Sequence, residues 1–254
     1  MPAPENRLKA RLKNDDRMPG LWLSMTSSYV AELVGHIGFD WLLIDGEHAP
    51  NDLQTTIVQL QVLKSSVSPV IVRPPIGQVH LIKQYLDMGV QSFLIPMVES
   101  REQAELMVKA VRYPPHGVRG VGAGSARASN FGHIGDYTAT ANAQICLILQ
   151  IESRAAIAAL DDIAAVEGVD CLFIGPSDLS ADMGYLGNPQ APEVQSVIED
   201  AIRRIKAQGK AVGIYMSDER YARHYFDLGA NMVAIGSDAA ALVHALTDLK
   251  NAYR

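Results

Sequence analysis

Trp41-Leu42-Leu43-Ile44-Asp45-Gly46-Glu47-His48-Ala49-Pro50 decides how the rest of the chain is read. Four apolar residues run straight into two acids and a histidine. A continuous apolar run of this length, ended by Gly and followed by Pro, fits a strand covered on both faces, as in a parallel sheet. The polar cluster then falls at the strand's C-terminal end, ahead of a helix for which Asn51 is the expected cap. In α/β folds chemistry is carried at that end of the strands. An Asp three residues before a His there can orient the imidazole and raise its basicity. A helix-capping loop with solvated charges would have the same local sequence, so the remainder of the chain must decide.

Working outward, similar apolar runs recur at Leu21–Met25, Val70–Arg73, Phe93–Met97, Cys146–Ile151, Cys171–Gly175, Ala211–Met216 and Met232–Gly236, which with Trp41–Asp45 makes eight. Helical spacing fills the gaps. Over 191–208, Val194, Val197, Ile198, Ala201, Ile202 and Ile205 trace one face, with Pro192 in the first turn and Gly209 past the end. Ser100 with Gln103 forms a capping box, and Asp238 to Leu249 is helical. Strands alternating with helices and no composition break predict one domain over 1–254, a (β/α)8 barrel, with residues 1–18 as an N-terminal arm or helix. A doubly wound sheet is the competing arrangement. The surplus between the fourth and fifth runs, Tyr113 to Gln144, holds six glycines and the run Arg119-Gly-Val-Gly-Ala-Gly-Ser-Ala-Arg127. It is expected near the active site or at a subunit contact. No helix pattern follows it at once, so a phosphate loop is poorly supported.

Composition narrows the function classes. With 48% hydrophobic residues in 254, the chain can bury a full core. A net charge of −6 argues against a nucleic-acid or anionic-membrane surface. No apolar run approaches the roughly 20 residues of a membrane span, and the N-terminal residues lack the apolar core of a secretion signal. Cys146 and Cys171 lie inside strand runs and read as buried free thiols. These features point to a cytoplasmic protein.

The strand ends point to chemistry. They carry Asp45, Glu47 and His48, then Arg73, then Gln150 and Glu152, then Ser177 and Asp178. Glu152 and Asp178, from neighbouring strands, are the natural pair of oxygen ligands. Carboxylates without Cys favour Mg²⁺, Mn²⁺ or Co²⁺, completed by water and substrate oxygens. Arg73 offers a fixed fork for an oxyanion, or a structural ion pair with a barrel acid. None of the lysines (Lys9, Lys13, Lys64, Lys83, Lys109, Lys206, Lys210, Lys250) falls at such an end, so a Schiff-base mechanism has no nucleophile.

Gly20-Leu-Trp-Leu-Ser24, Gly38-Phe-Asp-Trp-Leu-Leu-Ile-Asp-Gly-Glu-His-Ala-Pro50, Arg112-Tyr-Pro-Pro-His-Gly-Val-Arg-Gly-Val121, Gln150-Ile-Glu152, Gly168-Val-Asp170 and Phe173-Ile-Gly-Pro-Ser-Asp-Leu-Ser180 together resemble the metal-dependent (class II) pyruvate aldolases. These are the 4-hydroxy-2-oxoheptanedioate and 2-dehydro-3-deoxyglucarate aldolases. The resemblance spans essentially the whole chain. It implies reversible cleavage of 4-hydroxy-2-oxoacids to pyruvate and an aldehyde through a pyruvate enolate. It implies Glu152 and Asp178 as metal ligands, Arg73 at the enolate oxygen, and His48 as base with Asp45 as its partner. Gln150 would stand near the metal-water shell, and the Ser177 and Asp178 amides would hold the pyruvate carboxylate. Asp87 would reach a neighbouring subunit's site, and Tyr215 and Met216 would wall the aldehyde pocket. A homohexamer, a trimer of dimers with an exchanged C-terminal helix, is also implied. Oxaloacetate decarboxylation, an acyl-CoA lyase or a non-catalytic sugar-acid-binding barrel are the competing functions.

Overall fold

The computed structural model describes residues 1–254. Strands β1 (Met18–Leu23), β2 (Trp41–Asp45), β3 (Val70–Arg73), β4 (Ser92–Ile95), β5 (Cys146–Ile151), β6 (Cys171–Ile174), β7 (Ala211–Tyr215) and β8 (Met232–Ser237) pair in sequence order and close into a barrel. Every pairing, including β8 on β1, is parallel. The arrangement is a (β/α)8 barrel, and the doubly wound sheet is excluded.

Each apolar run is unbroken because both faces of its strand are covered. Along β2, Trp41 and Leu43 point inward to meet Ile71, Cys146, Ile148 and Phe173. Leu42 and Ile44 point outward into the larger core shared with the helices. The barrel interior is tight: a Cβ at Gly20 would collide with the Trp41 ring. Cys146 and Cys171 are both buried free thiols, as expected.

β1 begins three residues before the expected run, at Met18, whose amide donates to Asn231 O. The preceding helix Arg7–Lys13 is capped by Asn6 and closes the N-terminal end of the barrel. Its Leu8 and Leu12 pack into the interior core, and Lys9 Nζ bonds Asp170 at 2.8 Å. Helix Pro192–Ala207 lies where its apolar spacing puts it. Asn51 is not the cap ahead of helix Leu53–Val62. Asp52 takes that role through a capping box with Thr55, and the Asn51 amide instead donates to Asp45 O at 2.7 Å, bracing the end of β2.

The Gly-rich segment does not take the first of its two expected places, over the mouth of its own barrel. It contains short helical turns, and it packs at the N-terminal end of the barrel, away from its own mouth. Gln144 and Ser92 both accept hydrogen bonds from Asn6, and Arg127 Nη1 donates to Met88 O at the C-terminus of helix Val79–Asp87. The reason is topological. Helix Arg101–Ala110 has already carried the chain down from the mouth before the insertion starts. The last helix, Asp238–Asn251, leaves Leu242, Val243, Leu246 and Leu249 exposed.

Candidate active site

At the C-terminal mouth a cavity of about 380 Å³ opens onto the ends of β1, β2, β3, β5, β6, β7 and β8. Arg73 is the residue around which it is built, buried to 2% exposure on β3. Its Nε donates to Asp45 Oδ1 at 2.8 Å, and its Nη1 lies 2.6 Å from Glu47 Oε2. Gln150 Oε1 stands 3.5 Å from the same Nη1, and the Trp22 ring lies 4.3 Å beneath the guanidinium. These contacts fix the plane of the fork. They leave Nη2 buried with no partner in the protein. The structural ion pair with barrel acids is therefore present, and one donor of the fork remains unused.

Glu152 continues the inward row of β5 beyond Ile148 and Gln150. Met97, in the left-handed region at φ +53, turns its amide to Glu152 Oε1 at 2.9 Å. Gln150 Nε2 donates to the other oxygen. Gly175 at the end of β6 makes the approach feasible, since a Cβ there would stand 2.5 Å from Glu152 Oε2. Glu152 and Asp178 line one groove with Met97, Glu99 and Ser153, and Asp178 also borders the main cavity. Pro176 opens helix Pro176–Asp182, and Ser177 and Asp178 occupy its first turn.

Four carboxylates, Asp45, Glu47, Glu152 and Asp178, thus gather near one guanidinium. Burial lifts the Glu47 carboxyl above its ordinary range, against the pull of Arg73 and His48. Burial, with Glu47 and Asp178 adding to it, pushes Glu152 up to about 7. No three His, Cys, Asp or Glu side chains converge in ligand geometry. The pair Glu152 and Asp178 nevertheless fits a hard divalent cation that takes its remaining ligands from water and substrate. The surplus negative charge is what such an ion offsets.

A stability prediction arises here. Because Glu152 has a higher pKa folded than unfolded, its contribution is full below its ordinary pKa of 4.5 and is lost as pH rises through about 7. Cation-free protein should lose on the order of 2–3 kcal/mol across that window, which is several degrees in Tm for a chain of this size. Glu152→Gln should flatten the dependence in calorimetry at pH 5 and pH 8. An unchanged slope in the variant would show that Glu152 is not the group responsible.

Some expected residues are brought together and others are not. His48 stands on the rim, its side chain 65% exposed, and the nearest carboxylate is Glu47 at 3.9 Å. Asp45 makes no bond to it, because its Oδ1 is committed to Arg73 Nε and the Glu47 amide. Tyr215 lines the cavity, edge-on to Trp22 at 5.2 Å. Met216 does not. Strand alternation turns it outward, where it is buried in the helix-facing core. Asp87 ends helix Val79–Asp87 on the outer surface, 3.4 Å from Arg119 Nη2 and away from the mouth of its own barrel. Glu47 and Trp22 also hold Arg73; the sequence marks Glu47 as a strand-end acid without a role and gives Trp22 none. Trp22 carried a signal, since it shares the inward parity of Gly20 along β1.

An eight-stranded parallel barrel whose C-terminal mouth gathers acids around a fixed arginine has the layout of an enzyme active site. The family model HpcH/HpaI aldolase/citrate lyase matches residues 19–245. A hydroxypyruvate/pyruvate aldolase of Pseudomonas aeruginosa is 52% identical over 254 residues, covering 100% of this chain and 95% of that protein. A 4-hydroxy-2-oxo-heptane-1,7-dioate aldolase of Escherichia coli is 53% identical over 241 residues, covering 95% of this chain and 92% of that protein. A crystal structure of a HpcH/HpaI aldolase/citrate lyase family protein from Burkholderia cenocepacia superimposes with a TM-score of 0.95 at 39% identity, covering 98% of this chain and 99% of that one. The chain belongs to the HpcH/HpaI aldolase/citrate lyase family.

Proposed function

We propose that this chain is a cytoplasmic, divalent-metal-dependent aldolase that cleaves 4-hydroxy-2-oxoacids to pyruvate and an aldehyde and runs the reverse addition. Glu152 and Asp178 would hold the ion, Mg²⁺, Mn²⁺ or Co²⁺. When bound, it supplies Lewis-acid polarisation of the keto group. The observation that carries the reading is the free Nη2 of Arg73, a rigid cationic donor kept for a ligand oxygen among four carboxylates.

The residues divide the work. The amides of Ser177 and Asp178 lie in a first helical turn, where N–H groups have no intrahelical acceptor. They offer donors to the pyruvate carboxylate. Arg73 steadies the negative charge that develops on the keto oxygen as the carbon–carbon bond breaks. Gln150 holds one Glu152 oxygen and the flank of Arg73, so it keeps both in register. His48, on the exposed rim beside Glu47, takes the C4 hydroxyl proton in cleavage and returns a proton to the enolate carbon. Tyr215 and Trp22 wall the aldehyde end. Asp87 acts on a neighbouring subunit's site, and the apolar face of helix Asp238–Asn251 supports its exchange between subunits in a hexamer of three dimers. The unit is a single barrel domain.

The test is pyruvate release from a panel of 4-hydroxy-2-oxoacids, assayed after chelation and after readdition of Mg²⁺ or Mn²⁺. Turnover should vanish on chelation and return with the ion. Full activity in chelator, or release from none of the panel, would end the proposal. In the same assay His48→Ala should lower kcat about 10²- to 10⁴-fold, the range for a lost general base. A kcat close to that of the unaltered protein would remove His48 from the reaction.

A further inference from the structure

The β1–β8 seam is irregular at the mouth. Gly20 pairs with Ala234 but Trp22 pairs with Ser237, so β8 spends one more residue than β1 over the same span. A bulge of this kind interrupts the ladder and re-aims the side chains beyond it. Immediately past it stands Asp238, 5% exposed, its side-chain hydrogen bonds all coming from backbone amides. Its Oδ1 accepts from the Ser24 amide at 2.8 Å and the Ala239 amide at 2.7 Å, and its Oδ2 accepts from the Met25 amide at 3.2 Å. Ser24 and Met25 are the first residues after β1. Where the backbone of β8 can no longer accept from β1, this side chain does.

The residues so placed are part of the cavity wall. Trp22, Ser24 and Ser237 all line it, and Ser237 also caps the helix that Asp238 begins. Trp22 carries an indole N–H with no partner. Asp45, Arg73 and Gln150 lie on β2, β3 and β5, Glu152 directly follows β5, and Asp178 is on the helix after β6; they meet this seam at the Trp22 ring, 4.3 Å beneath the Arg73 guanidinium. The remaining wall, Trp22, Ser24, Tyr215 and Ser237, is uncharged and rich in hydroxyls, which suits a hydroxyaldehyde.

We propose that Asp238 is a positioning residue that fixes the β1–β8 side of the mouth and thereby sets binding of the aldehyde half of the substrate. Its own carboxylate bonds only the Ser24, Met25 and Ala239 amides and none of the groups assigned to the pyruvate half. This rests on the aldolase reading above.

The experiment compares Asp238→Ala and Asp238→Asn in the Mg²⁺-loaded enzyme. Exchange of pyruvate methyl protons into deuterated water, with no aldehyde present, reads the enolate half alone. Addition of pyruvate to glycolaldehyde reads both halves. Asp238→Ala should raise the KM for glycolaldehyde at least about tenfold and lower exchange by a clearly smaller factor, the part that passes through Trp22 to Arg73. Asp238→Asn keeps an acceptor for Ser24 and Ala239 and should fall between, and it carries the test if the alanine variant does not fold. Acrylamide quenching gives a readout independent of activity. Trp22 should become more quenchable in the alanine variant, while Trp41, 0% exposed, stays protected. Equal losses in exchange and addition, or an unchanged KM, would overturn the proposal. Absence of exchange in the unaltered enzyme would instead count against the aldolase reading. Unchanged Trp22 quenching would then overturn the positioning role by itself.

Discussion

Glu152→Gln should lower turnover by about a thousandfold or more, because loss of a cation worth several kcal/mol to the transition state translates into orders of magnitude. The stability of the same variant should move the other way. At pH 8 the unaltered, cation-free chain keeps ionised a carboxyl whose pKa is pushed up to about 7, and the amide removes that cost. Calorimetry should therefore show cation-free Glu152→Gln above cation-free parent at pH 8, with little further gain on adding Mg²⁺. The parent should gain several degrees from the same addition. Opposite signs in activity and stability are the mark of a site that holds strain for function. If Mg²⁺ stabilised the variant as much as the parent, Glu152 would not be a ligand.

Arg73 has the second large effect, and here the structure changes what the variant reports. Arg73→Ala strands Asp45 and Glu47 without their cation inside the barrel. Breaking a buried pair in this way costs about 3–5 kcal/mol, so lost activity in that variant mixes chemistry with unfolding. Arg73→Lys keeps the charge but loses the planar fork. It should fold, retain Mg²⁺-dependent stabilisation and lose about 10²- to 10³-fold in kcat, the usual cost of one oxyanion donor. A lysine variant within tenfold of the parent would show that the free Nη2 is not used on the substrate.

The fold was largely legible because a strand covered on both faces must be apolar at every position. β2, β3 and β5 begin and end where their apolar runs do. β1 was less clear, since Met18 and Pro19 follow a charged arm and only the partner strand shows that Met18 is paired. The strand-end rule also located the mouth. It could not assign partners within it. Asp45 and His48 are three apart in sequence, yet Asp45 is spent on Arg73, twenty-eight residues away. Met216 follows Tyr215, but the half-turn between successive strand residues sends it to the other core. The Gly-rich segment read as a loop near the active site or at a subunit contact, and its place at the N-terminal end of the barrel depends on where helix Arg101–Ala110 delivers the chain.

By itself the sequence determined the barrel, the end that carries polar groups, the absence of an imine-forming lysine there and the kinship with aldolases. The first three follow from local covalent order, apolar periodicity and the residues that terminate each run, while the kinship rests on the resemblance of the quoted motifs. Only the tertiary structure decided that Glu47 and Trp22 hold the arginine, that Asp238 stitches β1 to β8 across a bulge, and that the long insertion sits at the opposite end from the mouth. Those are distances between residues far apart in the chain. They depend on how eight strands close and on where one of them spends an extra residue, and no window of sequence contains either.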